Sequence, residues 1–98
     1  MTTDKQKSSI DFSKVDALRK HMLLTTTSMS KLLGVSRMTY YGYVRGKSPQ
    51  SSKADGIRAT LKKMLHIMSE YGWPTPDVIE MEQSVRRDYL KELLDNLE

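Results

Sequence analysis

Between Ser36 and Lys47 the chain carries side chains suited to one kind of chemistry. Arg37, Arg45 and Lys47 are cations, Ser36 and Thr39 bring hydroxyls, Met38 an apolar tip, and Tyr41 a ring with a hydroxyl. On a helix running from about 36 to 45, Tyr40 and Tyr43, with Val44, fall on the inward face. Arg37, Met38, Thr39, Tyr41, Gly42 and Arg45 then point outward. Such a face suits the major groove of double-stranded nucleic acid, where guanidinium forks meet guanine and apolar groups meet the thymine methyl. Arg37 either reads guanine or holds a phosphate. Met38 and Thr39 fit a thymine methyl, and Tyr41 a phosphate or a sugar. Gly42 costs about 1 kcal/mol of helix propensity relative to Ala, so either the helix tolerates it or a close approach needs the space. Lys47, with Ser48, is placed to grip phosphates as the chain leaves the groove.

No other constellation competes. There is no Cys, and His21 and His66 lie far apart, so no disulfide frame or metal cluster is expected. The acidic residues of the tail have the spacing of a solvated helix face. No nucleophile is paired with a base, so the expected protein is not an enzyme and has no cofactor. Gly46-Lys47-Ser48 matches only the end of a phosphate loop, without its first glycine or its strand. Three tyrosines in four positions also fit a stacking platform for single strands, but helical spacing turns Tyr41 away from Tyr40 and Tyr43.

The elements that must position these residues are helices. Met29, Leu32 and Leu33 make an apolar face just before Gly34, a glycine where a chain leaving a helix often needs positive φ. Ser30 is small enough for a second helix to pass close. Val35 plugs the corner, and Ser36 is a good N-cap for the next helix. Upstream, Ser13 is expected to cap a helix over about 13–23 with Val15, Leu18 and Met22 inward. Arg19 and Lys20 point elsewhere, within reach of phosphate. Thr25, Thr26 and Thr27 should break that helix, and one of them, Thr26 in preference, caps the next. Thr26, Thr27 and Ser28 then sit at a helix N-terminus, whose amides and dipole favour an anion. Downstream, Arg45-Gly46 and Pro49 end the central helix. A helix over about 54–71 follows, with Ile57, Leu61, Met64, Leu65 and Met68 as its stripe and Gly72 as its stop.

This arrangement resembles the helix-turn-helix of the Cro and lambda-repressor-like family, also called the xenobiotic-response-element type. Ser30, Leu33, Gly34, Val35, Ser36, Tyr40, Tyr43, Arg45, Gly46 and Pro49 stand at the family's places, and the likeness runs from about Val15 to Tyr71. Members often carry Ala where Ser30 stands and Glu where Val44 stands. The resemblance implies an all-α domain with a helix-turn-helix. It also implies sequence-specific binding of double-stranded DNA as a transcriptional regulator or repressor, in a bacterial, plasmid or phage setting.

Ninety-eight residues make one domain with an arm or a tail. The reading is a flexible arm over 1–11, a helix-turn-helix domain over 12–72 and a C-terminal helical element over 73–98. The net charge of +4 is unevenly spread: residues 1–49 carry +6, residues 50–76 carry +2 and residues 77–98 carry −4. The basic half coincides with the motif, as a phosphate-binding surface requires. No apolar run approaches a membrane span, and the first residues lack a signal-peptide core, so a cytoplasmic protein without a membrane partner is expected.

Thr75, followed by Pro76, should cap one last helix reaching about Leu97. Val78, Met81, Val85, Tyr89, Leu93 and Leu97 form its stripe, widened by Ile79, Leu90 and Leu94. Two such helices can pair across a two-fold axis and make a homodimer on a palindromic site. The rival is a helix folded back on its own domain. Trp73 is expected to cover an edge of the core; the rival function is an adaptor that keeps the helix-turn-helix shape and binds a partner protein through Trp73 and the last helix. A small-molecule effector is left open by these residues.

Overall fold

The structure, a computed structural model, describes residues 10–97. The arm expected over 1–11 lies outside the described residues except for Ile10 and Asp11. Six helices appear among the described residues: α1 (Phe12–His21), α2 (Thr26–Leu33), α3 (Arg37–Val44), α4 (Ser51–Tyr71), α5 (Pro76–Glu80) and α6 (Gln83–Asp95). The expected all-α bundle is therefore observed. No helix among these residues is long and apolar enough to cross a membrane.

α2 is the central helix, packed against α3, α4 and α6, while α1 packs on α3. Four of its eight residues are buried: Ser28, Met29, Ser30 and Leu33. The two serines keep that helix thin, so its neighbours approach closely, and Ser30 Oγ donates to the Thr27 carbonyl at 2.9 Å. Met22, Met29, Tyr40, Ile57, Met64, Ile67, Val78 and Leu90 join in one core with Phe12, Val15 and Trp73.

Helix boundaries follow capping chemistry, and two expected caps move. Asp11, not Ser13, caps α1: its carboxylate accepts from Ser13 N at 3.1 Å and Ser13 Oγ at 2.6 Å. These hydrogen bonds, with that from the Ser13 side chain foremost, hold the Asp11 carboxyl below the usual range. Thr25, not Thr26, caps α2 by accepting from Ser28 N at 3.1 Å. That shift moves Thr26 and Thr27 into the first turn. Gly34 takes the left-handed conformation at φ 76°, and Ser36 caps α3, both as expected.

α4 begins at Ser51, earlier than the expected 54, with Gln50 at the N-cap. Its buried stripe is Ala54, Ile57, Met64 and Ile67. Leu65, expected inward, is exposed, because the stripe widens on the Ile67 side instead. Val44 of α3 is likewise exposed, leaving Tyr40 buried and Tyr43 half-buried against Phe12 with ring centroids 4.8 Å apart.

The last segment departs most from expectation. One continuous helix to about Leu97 is replaced by α5 and α6, with Met81 and Glu82 extended between them. Arg86 holds the break. Its Nε donates to the Val78 carbonyl at 3.0 Å, and its Nη2 to those of Ile79 at 3.2 Å and Met81 at 2.7 Å. In an unbroken helix those carbonyls would take backbone amides four residues on. The guanidinium supplies the donors that the break removes.

Both helices pack on their own domain, α6 against α2 and α4. Of the six residues expected to dimerise, Val78 is fully buried in this core, and Met81, Leu93 and Leu97 are half-buried against it. Only Val85 and Tyr89 remain exposed. The segment is thus part of the one core and not an appended element. Trp73 is also inside: 3% exposed, its indole N–H donates to the Met22 carbonyl at 2.9 Å, and Tyr89 stacks on it.

Candidate nucleic-acid interface

The sequence between Asp16 and Asp55 contains no carboxylate, and it carries Arg19, Lys20, Lys31, Arg37, Arg45, Lys47 and Lys53. This stretch holds the end of α1, all of α2 and α3, and the first residues of α4. Lys31, Arg37, Arg45 and Lys47 are exposed and make no ion pair among the described residues. Six exposed carboxylates, Asp77, Glu80, Glu82, Asp88, Glu92 and Asp95, belong to the α5–α6 segment; Asp11 before α1 and Asp55 and Glu70 on α4 are exposed as well. Charge is therefore unevenly divided, with α2 and α3 free of carboxylates.

The hydroxyls and cations expected at the site meet across the turn between α2 and α3. Thr26 Oγ1 and the Tyr41 hydroxyl share a hydrogen bond of 3.1 Å. Arg37 Nη1 donates to Thr27 Oγ1 at 3.5 Å, a long bond that leaves the fork's other N–H groups for an outside acceptor. Thus the first turn of α2 and the outward face of α3 form one polar surface. Ser36 and Thr39 face each other at the start of α3: Thr39 N donates to Ser36 Oγ at 3.0 Å, and Ser36 Oγ donates to Thr39 Oγ1 at 2.9 Å. Their hydroxyls are engaged in capping.

Beyond Thr39 the face opens. Met38, Tyr41, Gly42, Arg45 and Lys47 line a shallow cleft of about 500 Å³. Met38 is 80% exposed, well above any other large apolar side chain described. Lys47 N donates to the Gly42 carbonyl at 2.9 Å, drawing the lysine stem back over the helix end. A Cβ on Gly42 would lie 3.4 Å from Lys47 Cδ, an ordinary contact with a flexible side chain. The protein's own packing therefore does not require glycine here.

Two expected contributors are removed. Ser28 is buried, so its side chain cannot reach a phosphate. Arg19 does not extend outward. Its Nε donates to Asp16 Oδ1 at 2.8 Å and its Nη1 to the Leu24 carbonyl at 2.8 Å. Pairing with Arg19 comes first among the causes that lower the Asp16 carboxyl, and the same bond raises the guanidinium.

Residues outside the expected set position this surface. Asp16 Oδ1 also accepts from the Tyr40 hydroxyl at 2.8 Å, which ties α1 to α3. Burial, reinforced by that bond, pushes the Tyr40 phenol well up, so it stays a neutral donor. Gln83 of α6 accepts from Thr25 N at 2.9 Å and donates to the Leu23 carbonyl at 3.1 Å, gripping the residue that caps α2. Lys53 Nζ donates to the Gly34 carbonyl at 3.2 Å and steadies the turn. The Asp16–Arg19 spacing of three was a visible signal for an ion pair. The Gln83 link spans 58 residues and leaves no periodic trace.

Comparison of the chain with protein-family models, curated proteins and solved structures finds no match.

Proposed function

We propose that this chain is a sequence-specific double-stranded DNA-binding regulator, a repressor of the Cro and lambda-repressor-like kind, with α3 seated in the major groove. The observation that carries the reading is the carboxylate-free stretch folded into α2 and α3, with Arg37, Arg45 and Lys47 exposed beside Met38 and Tyr41 and in no ion pair among the described residues. A phosphate surface needs unopposed cations, and a reading helix needs an outward face that its own core has not taken. Thr26, Thr27 and Tyr41 hold backbone, and Arg37 meets either a phosphate or guanine. The acidic α5–α6 segment turns away from the duplex. Val85 and Tyr89, exposed on α6, offer what apolar surface this helix has for a second copy. A dimer through them presents two α3 helices to a palindrome. The reading places the protein in the cytoplasm of a bacterial or phage-infected cell.

Of the two anchors of the adaptor reading, Trp73 is in the core, which leaves the last helix alone. A salt titration on random duplex tests the proposal. The binding constant is expected to fall steeply and log-linearly as salt rises. Selection from a random duplex pool should then enrich one sequence, with any symmetry it contains. No salt-sensitive binding, or no enrichment, overturns the reading.

A further inference from the structure

We infer that Met38, one turn before Gly42, is a side chain that selects a base, and that it selects a 5-methylpyrimidine, thymine in ordinary DNA. The inference rests on the DNA reading above and names what α3 recognises. On the outward face, Thr39 and Ser36 are bonded to each other and Tyr41 to Thr26, while Arg37 gives one N–H to Thr27 and Arg45 stands exposed at the C-cap of the helix. A group held this way is well placed to hold backbone, and a second partner must compete for its bonds. Met38 has no such commitment and stands 80% exposed in the first turn of α3.

Met38 and Gly42 are four residues apart, so they share one helix face. Gly42 lacks a side chain there, the flexible Lys47 stem lies 3.4 Å from where its Cβ would stand, and Arg45 and Lys47 bound the same cleft. When Lys47 swings to a flanking phosphate, a base-pair edge can come close to the helix. In the major groove the one apolar group on a base edge is the thymine methyl. A flexible, polarizable thioether suits it, and it offers guanine, adenine or cytosine no donor and only a weak acceptor. The charge surroundings favour DNA over an apolar protein partner, since no carboxylate lies between Asp16 and Asp55.

The test uses the full chain and the duplex enriched from a random pool. Each thymidine is replaced in turn by deoxyuridine, which removes the methyl and leaves every hydrogen-bonding group. For the unaltered protein, at least one replacement should weaken binding about three- to fivefold, the factor that burying one methyl group is worth. In Met38→Ala that replacement should have no effect, whereas Thr39→Ser should retain the full sensitivity. Both positions are exposed, so both variants should fold, and circular dichroism checks this. If a duplex is enriched but every deoxyuridine is neutral, or Met38→Ala stays sensitive, or Thr39→Ser alone loses sensitivity, the assignment of Met38 is overturned while DNA binding stands. If no duplex is enriched at all, the DNA reading itself fails and this inference goes with it.

Discussion

Single atoms decide two positions, Ser28 and Gly42. Ser28 Oγ is buried and has no hydrogen-bond partner among the described residues. A buried hydroxyl without a partner costs about 1–3 kcal/mol, and Ala is the better helix former. Ser28→Ala is therefore expected to stabilise the fold by about 1 kcal/mol in urea denaturation and to leave duplex affinity alone. A loss of stability would mean that the hydroxyl has a partner after all. Gly42 gives the converse case. Ala there should raise stability by about 0.5–1 kcal/mol through helix propensity, because its Cβ meets only the Lys47 stem. If the floor of the cleft receives a base-pair edge, the same variant should bind the enriched duplex less well. Stability gained while affinity falls is the signature to look for in paired melting and binding measurements.

Elements are held in register by polar clamps. Asp16 joins α1 to α3 by accepting from Tyr40 and pairing with Arg19. Its carboxyl is lowered, so the folded state binds that proton less readily than the unfolded chain does. The stability it contributes is present above the ordinary value of 3.8 and is lost as pH falls through the lower folded value. Stability measured from pH 5 down to about 2 should decline, and Asp16→Asn should flatten that decline while lowering stability at neutral pH. At the other end, Leu23 sits at φ 63°, a strained conformation for a side chain of its size. Its carbonyl accepts from Arg86 Nη1 at 2.7 Å and from Gln83. Arg86 thus fastens the α1–α2 connection, α5 and the break before α6. Arg86→Ala should cost about 2–4 kcal/mol, since several carbonyls lose a charged donor at once. Lys should restore little of it, because one ammonium cannot reproduce the planar fork.

At the scale of the whole molecule, the distribution of charge matters more than its sum. The net charge of +4 is modest, but α2 and α3 carry no carboxylate and the acids gather on α5 and α6. On random duplex, Lys47→Ala should lower the slope of log affinity against log salt by about 0.9, the value of one phosphate contact. Lys91→Ala should leave it unchanged, because Lys91 is on α6 and paired with Asp95 at 3.0 Å. Equal effects from the two would mean that net charge alone draws the chain to DNA.

Much of this was legible in the chain order. The apolar spacing of α2, Gly34 at its end, Ser36 before α3 and Pro76 opening α5 are local signals, set by backbone sterics and capping within a few residues, and they predict helices and turns close to those observed. The outward residues of α3 follow from the same periodicity. Tertiary structure decided which of several apolar stripes was used. Val78 and Leu90 went to the domain's own core rather than to a second copy, Leu65 was left outside, and Trp73 was covered. It also decided that Arg19 turns inward to Asp16, and that Gln83 and Arg86 reach back across some sixty residues to Leu23 and Thr25. Periodicity states that a face is apolar, but burial depends on which other face arrives first at packing distance. Long-range hydrogen bonds depend on donors and acceptors that only the finished packing brings together.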